Sequence, residues 1–431
     1  MSTDRASTID ASLRKTERVT REWLVAQLGA REHYAVARAL ARRGRLAQFY
    51  TDGWCRWGRS ILRQGPGIFR AFANRYHEEL ASQRVTSFSG RATWNVVRRR
   101  FLERFYDPSA LTNHHVDVGA WFGKRVRNEL VNAQRLLPDR HAFFGFSTGS
   151  LEVLSYLDDT GVISVVDQVS PGPIEYEIVS EEVERWPGWA LQSPCKAPGL
   201  QRRVTAEWDA ASLVLVNSEW SRSALLDEGV PEEKLVVVPG AYEPPEGVQT
   251  HGGVNSSGPL SVLWLGSVVL RKGIPYLVEA ARELEPLNDV EITVAGPIGI
   301  TERAVAQSPD NMTFVGSVAR DRVSTLYADA DVFVLPTLSD GFGITQVEAM
   351  AHGCPVITTP NCGRVVTDGE DGRVIPPRDS EALAAALRHL TRNRGQLVEM
   401  SRIARQTARR YTLDAYAERL FGAIQSVPSD S

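Results

Sequence analysis

Two acidic residues lie eight positions apart on either side of a Gly-Phe-Gly turn: Asp340 precedes the turn and Glu348 follows it. The apolar run 331–335 predicts a buried strand before the turn, and residues 346–352 predict a short helix after it. The first turn of a helix offers unpaired N–H groups to an anion, and a carboxylate in that helix can accept hydrogen bonds from ribose or sugar hydroxyls. This pattern predicts a binding site for a nucleotide-linked sugar.

Two cations occupy a similar position after another predicted strand. Residues 266–273 read Gly-Ser-Val-Val-Leu-Arg-Lys-Gly and follow the apolar run 260–265. Arg271 and Lys272 beside a diphosphate would stabilise the negative charge that develops when a sugar–phosphate bond breaks. The alternative is that both are solvated charges at the start of a helix. We favour the phosphate-binding interpretation because the acidic pair lies nearby on a unit of the same type.

Both segments need a framework in which each parallel strand is followed by a helix. The second half of the chain supplies it, because apolar runs alternate there with helical patterns and predict a parallel, doubly wound sheet. The predicted strands are 260–265, 290–296, 312–316, 332–335 and 356–358, with helices at 274–284, 321–328 and 346–352.

The first half predicts a second framework of the same α/β class. Its strands are predicted at 23–28, 46–50, 141–146, 162–167 and 212–217, with helices at 35–43 and 150–159 and a mostly helical stretch over 55–135. A chain of 431 residues exceeds the size of a single core, so two domains are expected. We predict a flexible tail 1–20, a domain 21–242, a Pro- and Gly-rich linker 243–259, a domain 260–412 and a C-terminal helix 413–431.

The segment Asp-Gly-Phe-Gly…Glu-Ala-Met-Ala-His-Gly-Cys-Pro-Val at 340–356 resembles the acidic-x7-acidic signature of the retaining, group 1 (family 4) glycosyltransferases. Asp340 stands where that family usually has Glu. The resemblance implies two facing Rossmann-like domains (the glycosyltransferase-B, or GT-B, fold) with a cleft between them. It also implies that the second domain binds a nucleotide-sugar donor, the first faces the acceptor, and the last helix crosses back to the first domain.

The resemblance assigns roles residue by residue on the donor side. Lys272 matches the family lysine that holds the donor pyrophosphate, and Arg271 supplies a second cation because Ser267 stands where the family often has Arg. Asp340 would position the sugar hydroxyls and stabilise positive character at the anomeric carbon. The implied catalytic residues are Asp340, Arg271 and Lys272, and the implied donor-binding residues are Gly266, Ser267, Gly341, Phe342, Gly343 and Glu348. No metal and no cofactor are expected beyond the co-substrate.

The acceptor side departs from the family pattern. Many members carry a His after a strand of the first domain, and by register Asp167 and Gln168 take its place here. Either side chain could bind a sugar hydroxyl or the acceptor. Gly29 forms a turn after the first predicted strand, and His33 follows it. His33 either contacts the acceptor or caps the next helix locally.

Three functions remain open at this point. The first is transfer of a hexose to a saccharide or lipid-linked acceptor with retention, in which the leaving phosphate deprotonates the acceptor on the same face. A double displacement through an enzyme carboxylate is the mechanistic alternative. The second function is a nucleotide-sugar epimerase, and the third is a catalytically silent subunit that binds a partner or a membrane.

The charge distribution bears on the partners. Residues 1–150 carry 26 Lys and Arg against 13 Asp and Glu, whereas the remainder carries 23 against 39. The basic half predicts peripheral contact with an anionic membrane or a phosphate-bearing acceptor. The alternative is solvated arginine on ordinary helices. Nucleic acid is not expected, because the cations are dispersed and accompany no recognised binding motif.

The remaining composition predicts a cytoplasmic protein. The N-terminal residues lack the apolar stretch of a secretory signal, and the chain contains no apolar run of the ~20 residues that span a bilayer. The cysteines are scattered without metal-ligand spacing, which is typical of a reduced compartment. They are Cys55, Cys195, Cys354 and Cys362.

Overall fold

A computed structural model describes residues 21–244 and 258–425, apart from 66–68, 70–71, 92–94, 96–97, 100–107 and 134–135. The predicted tail 1–20 and most of the predicted linker 243–259 lie outside the described residues.

The first half is built on a seven-stranded sheet in which every pairing is parallel. The strand order is β3-β2-β1-β4-β5-β6-β7. Successive strands are therefore added on one side of β1 up to β3, and on its other side from β4 onward. The strands are β1 Glu22–Gln27, β2 Leu46–Thr51, β3 Val85–Ser87, β4 His141–Phe146, β5 Ile163–Gln168, β6 Leu213–Val216 and β7 Leu235–Val237.

The first half also contains helices, several of which pack on this sheet. They include α1 Ala35–Arg42, α2 Arg59–Gln64, α3 Pro108–Ala133, α4 Leu151–Leu157, α5 Ile174–Arg185, α6 Pro198–Ala210 and α7 Glu219–Asp227. Buried apolar strand residues such as Val25 and Phe144 form the centre of one core, and Phe143 and Val166 belong to a second core on the other face of the sheet. Burial on both faces explains why these strands are apolar along their whole length.

The second half is built on a six-stranded parallel sheet with the order β10-β9-β8-β11-β12-β13. Its strands are β8 Leu260–Leu265, β9 Val290–Ala295, β10 Met312–Gly316, β11 Val332–Leu335, β12 Val356–Thr358 and β13 Gly372–Val374. Its helices are α8 Ile274–Leu284, α9 Glu302–Val305, α10 Arg320–Asp329, α11 Thr345–His352, α12 Ser380–Arg392 and α13 Arg394–Ala408. This order is that of a Rossmann-like sheet, whose switch point lies between β8 and β11. The predicted parallel, doubly wound sheet is confirmed.

The last helix, α14 Leu413–Gln425, packs against α1 at the start of the chain. Its apolar face is buried in the core of the first sheet through Leu413, Tyr416 and Leu420. Residues 243–259 and this helix are therefore two separate points at which the chain passes between the halves.

The prediction of a mostly helical stretch over 55–135 was wrong in one respect, because the edge strand β3 lies within it. Strands β7 and β13 were not predicted. Each of these strands is three residues long, too short for an alternation of apolar and polar residues to be recognised. Pairing with a neighbouring strand, which depends on tertiary contacts, defines them.

A buried carboxylate holds the turn between β4 and α4. Glu207 on α6 accepts hydrogen bonds from the backbone N–H groups of Thr148 at 2.6 Å, Ser150 at 2.9 Å and Leu151 at 2.9 Å. Glu207 itself is 0% exposed. Water therefore cannot replace it as the acceptor for these three donors.

Replacing Glu207 with Ala is expected to destabilise the fold by about 3 kcal/mol or more, because each buried donor left without an acceptor costs roughly 1–3 kcal/mol. The measurement is urea unfolding followed by circular dichroism. Asp209→Ala, at an exposed position on the same helix, is the matched control and should change the free energy of unfolding by no more than about 0.5 kcal/mol. Equal effects of the two changes would show that Glu207 does not hold the turn.

Candidate active site

The loops after β8 and β11 lie side by side at the switch point of the second sheet. The backbone N–H of Leu338 donates to the carbonyl of Arg271 at 2.9 Å. Gly273 has a φ of +72°, and a Cβ at this position would lie 1.8 Å from the carbonyl oxygen of Pro336. Only glycine allows the two loops to approach this closely, and their contact brings the predicted cations and acids together.

Gly273→Ala is expected to force the two loops apart and to destabilise the protein by more than the ~1–2 kcal/mol that a left-handed backbone alone costs a non-glycine residue. Gly316→Ala is the matched control, since Gly316 has a φ of +69° and open space where a Cβ would be added. Chemical unfolding of both variants isolates the steric term. Equal losses of stability would mean that the contact with Pro336 is not tight.

Each predicted cation is paired with a carboxylate. Lys272 Nζ forms an ion pair with Asp340 Oδ2, and both side chains are mostly buried, at 14% and 18% exposure. The backbone N–H of Asp340 donates to the carbonyl of Asn361 at 2.9 Å, which fixes the acid in its loop. The structure therefore brings together two of the predicted catalytic residues, Lys272 and Asp340.

The third predicted catalytic residue, Arg271, reaches across to the first half. One guanidinium nitrogen, Nη1, donates to Glu175 Oε1 at 2.9 Å and to the carbonyl of Ser339 at 2.6 Å. Burial raises the pKa of the Glu175 carboxyl, and the charge of Arg271 acts against that shift.

Glu175 was not among the residues predicted from the sequence. The signal available was its place in the first turn of α5, directly after the Pro-Gly-Pro that follows β5. That signal is shared by many helices that follow a strand, and it becomes meaningful only through the contact with Arg271.

Glu348 lies on α11 and is oriented by a buried tyrosine. The Tyr327 hydroxyl donates to Glu348 Oε2 at 3.0 Å. Burial, together with the Glu348 charge, raises the pKa of Tyr327 well above its usual value, so the hydroxyl stays a donor. The ring of His352 stacks on Tyr327 at 5.1 Å between centroids. These contacts hold the carboxylate of Glu348 in one orientation.

The Gly-Phe-Gly turn packs against the first half. A Cβ on Gly341 would lie 2.0 Å from the carbonyl oxygen of Val169, which follows β5, and one on Gly240 would lie 2.9 Å from the ring of Phe342. Gly343 has a φ of +71°. Both glycines of the turn are thus required by the structure, Gly341 by a close approach between the halves and Gly343 by its backbone conformation.

Gly266 and Ser267 follow β8 directly. A Cβ on Gly296 would lie 1.7 Å from the carbonyl oxygen of Gly266, so the turns after β8 and β9 also touch through their backbones. The Ser267 side chain is exposed. The position at which the family often has Arg therefore lies at the surface of this loop.

Among the residues that the structure describes, no three His, Cys, Asp or Glu side chains are grouped so that they could hold a metal ion. Within the same residues, no helix is long and apolar enough to cross a membrane.

The second half of the chain matches a known family. The family model described as glycosyl transferases group 1 matches residues 259–393. An MMP alpha-(1->4)-mannosyltransferase of Mycolicibacterium hassiacum is 29% identical over 218 residues, which cover 48% of this chain and 49% of the relative. A phosphatidyl-myo-inositol mannosyltransferase of Mycobacterium leprae is 32% identical over 175 residues, which cover 39% of this chain and 46% of the relative. The chain spans about half the length of the curated relatives it matches.

The crystal structure of Anabaena HepE in complex with UDP shares the fold. Its TM-score is 0.59 and its sequence identity 15%, over 94% of this chain and 100% of the other. Residues 259–393 therefore form a group 1 glycosyltransferase domain, as the sequence resemblance predicted. The chain's two parallel sheets form the two Rossmann-like domains of the GT-B fold, so the predicted family and fold class are confirmed.

The acceptor-side candidates fall into two places. Asp167 and Gln168 end β5, next to the residue that touches Gly341. Asp167 is buried. The Gln168 amide nitrogen donates to the Ser170 carbonyl at 3.0 Å and its oxygen accepts from Trp208 Nε1 at 3.2 Å. The structure thus places both residues near the donor loops, with the Gln168 side chain tied to neighbours in the first half.

The other two candidates follow β1. The N–H of Gly29, whose φ is +80°, donates to Asp52 Oδ1 at 2.9 Å, and Asp52 forms an ion pair with Arg75. His33 is exposed on the one-turn helix Arg31–Tyr34 and has a φ of +49°. These residues form a separate cluster at the ends of β1 and β2, and their contact with an acceptor stays a prediction.

Proposed function

We propose that the protein is a retaining glycosyltransferase that moves a hexose from a nucleotide-diphosphate sugar to a hydroxyl of a saccharide or lipid-linked acceptor. One observation carries this proposal: Arg271, Lys272 and Asp340 come together at the switch point of the second sheet, and Glu348 lies on the helix that follows the loop of Asp340. Ligands of open α/β sheets bind at such switch points. The mannosyltransferase relatives and the UDP bound by Anabaena HepE support the choice of donor class.

The site's charges suit departure of a nucleotide diphosphate. Lys272 and Arg271 would bind the diphosphate and stabilise the negative charge that it gains as the anomeric carbon–oxygen bond breaks. Asp340, on the adjoining loop, would position the sugar hydroxyls and stabilise the positive character of the anomeric carbon. Glu348, oriented by Tyr327, would accept a hydrogen bond from the ribose.

Retention is proposed through attack on the same face as the departing phosphate, which itself takes the acceptor's proton. A double displacement would need a carboxylate directed at the anomeric carbon. Arg271 and Lys272 would hold the departing phosphate beside the carbon that is attacked. Their charges therefore favour the same-face mechanism.

We also propose that transfer needs no metal, because two side-chain cations lie where the diphosphate charge would develop. Addition of EDTA is expected to leave the rate of transfer unchanged. A loss of activity that returns with Mg²⁺ or Mn²⁺ would contradict this.

The donor class is tested by isothermal titration with UDP, GDP, ADP and dTDP. We expect one nucleotide diphosphate to bind in preference to the others, and Lys272→Ala to weaken its binding. A silent subunit would bind a nucleotide without turnover of the matching sugar donor, whereas an epimerase would convert the sugar without an acceptor. Absence of binding by all four nucleotides would contradict the proposed function.

A membrane-borne acceptor is the finer proposal that the first half supports. Three large apolar side chains after β2 are strongly exposed: Trp57 at 81%, Ile61 at 77% and Phe69 at 49%. The guanidinium of Arg56 lies 5.7 Å from the Trp57 ring, and that of Arg59 lies 4.0 Å from the Tyr76 ring. Exposed aromatic and aliphatic groups among arginines are typical of segments that lie at an anionic lipid surface.

We expect the protein to sediment with vesicles that contain anionic lipid, and this binding to weaken as salt is raised. The double variant Trp57→Ala/Ile61→Ala should reduce the bound fraction several-fold, because it removes apolar surface worth roughly 1–3 kcal/mol per side chain. Leu191→Ala, at a position 50% exposed elsewhere on the protein, is the matched control. Equal sedimentation with neutral vesicles, or an equal loss in the control, would contradict membrane docking by this segment.

A further inference from the structure

Glu175, in the first half, forms an ion pair with Arg271, one of the two cations proposed to bind the donor. It accepts a hydrogen bond from Arg271 Nη1 at 2.9 Å, and the two side chains are 23% and 27% exposed. The other predicted cation, Lys272, is paired with Asp340 on its own half. The pair between Glu175 and Arg271 thus differs in kind, because it joins the two halves of the protein at the donor site.

The position of Glu175 is fixed by its surroundings. The Ser339 hydroxyl donates to Glu175 Oε1 at 3.4 Å and accepts from Trp220 Nε1 at 3.1 Å. Both residues that touch the carboxylate, Arg271 and Ser339, belong to the donor loops. The carboxylate therefore occupies one side of the donor site.

The helix that carries Glu175 is anchored to the second half. At its C-terminal end, the buried Glu182 accepts from the Tyr276 hydroxyl at 2.8 Å and pairs with Arg378 at 2.7 Å. Trp189, just beyond the helix, is buried in the core of the second sheet. Because α5 is held at this end, Glu175 is kept close to Arg271.

A phosphate bound to Arg271 would meet this carboxylate at close range. Two anions on one guanidinium repel each other, and Asp340 adds a further negative charge nearby, which Lys272 offsets. Burial already raises the pKa of Glu175, so an ionised carboxyl that lost Arg271 to another anion would be costly at this position. An ionised Glu175 carboxyl would therefore oppose the binding of a donor phosphate to Arg271.

We propose that Glu175 competes with the donor's phosphate for Arg271 and so weakens donor binding. The inference rests on the proposed function, since it concerns the same donor site. The loop that precedes Glu175 also connects the donor site to the first half. Only the turn containing Pro171-Gly172-Pro173 separates Glu175 from Val169, which touches Gly341, and from β5, which ends in the acceptor-side candidates Asp167 and Gln168.

The test is isothermal titration of UDP, GDP, ADP and dTDP into wild-type protein, Glu175→Gln and Glu177→Gln. Glu177 lies on the same helix but is exposed, so its variant makes the same change in net charge without touching Arg271. We expect Glu175→Gln to bind the preferred nucleotide diphosphate about tenfold more tightly or better, which is the scale of one charge-assisted hydrogen bond. Glu177→Gln should change the affinity by less than about twofold.

The double variant Glu175→Gln/Arg271→Gln ties the effect to the guanidinium. It should bind no more tightly than Arg271→Gln alone, because without the guanidinium of Arg271 there is nothing for which Glu175 and the phosphate compete. Unchanged or weaker binding by Glu175→Gln, in a protein whose wild type binds, would overturn the inference alone. If neither wild type nor any variant binds any of the four nucleotides, the proposed function fails with it.

Discussion

Lys272→Ala is expected to lower the rate of glycosyl transfer by about 100- to 1,000-fold, the effect of removing one preorganised group that stabilises transition-state charge. Lys272 is mostly buried and forms an ion pair with Asp340 at the switch point of the second sheet. As the sugar–phosphate bond breaks, negative charge grows on the departing diphosphate, so the ammonium should matter more for kcat than for donor affinity. The measurement is steady-state transfer, or donor hydrolysis, with kcat and KM determined separately.

Two controls keep this result interpretable. Lys124→Ala removes the same charge from an exposed position and should leave the rate unchanged. Thermal unfolding of Lys272→Ala shows whether loss of the partner of Asp340 has disturbed the fold. A folded Lys272→Ala variant with wild-type kcat would show that Lys272 takes no part in catalysis.

Glu348→Ala should weaken binding of the nucleotide diphosphate by about 10- to 100-fold, since hydrogen bonds to a charged group contribute roughly 1.5–3 kcal/mol. The effect depends on the ribose that the carboxylate would bind. The same substitution leaves the buried Tyr327 hydroxyl without this acceptor, so it also costs stability, roughly 1–3 kcal/mol. Titration calorimetry and chemical unfolding on the same preparations measure both quantities.

Nucleotide analogues separate the two effects of Glu348. Wild type should lose affinity for either the 2′-deoxy or the 3′-deoxy nucleotide diphosphate, whereas Glu348→Ala should bind the analogue and the parent nucleotide equally. Tyr327→Phe removes the bond that orients Glu348 and keeps the carboxylate, so it should weaken binding less than Glu348→Ala does. An Ala variant that still discriminates against both deoxy analogues would show that Glu348 does not contact the ribose.

The donor half of the site could be predicted from sequence because each of its groups lies within one strand–loop–helix unit. The spacing of Asp340 and Glu348 around a glycine turn is a local pattern, as is the order Arg271, Lys272, Gly273 after β8. The switch point then brings the two units together, since β8 and β11 are neighbours in the sheet. Local pattern and sheet order therefore suffice for these residues.

The contacts between the halves could not be predicted in this way. Glu175 lies 96 residues before Arg271 in sequence, and no local pattern indicates which of many helix-start acids crosses the cleft. The requirement for glycine at 341 arises from the approach of Val169 in the other half. Gln168 shows the same limit, because its bonds to Ser170 and Trp208 depend on packing within the first half.

Nucleotide release from a panel of UDP-, GDP-, ADP- and dTDP-linked hexoses measures whether this protein activates a nucleotide-diphosphate sugar at the second sheet. Wild type is compared with Lys272→Ala and Glu348→Ala. We expect wild type to release one nucleotide diphosphate, and both variants to release it much more slowly. Release that persists undiminished in both variants, or no release from any donor when saccharide and lipid-linked acceptors are also supplied, would contradict this expectation.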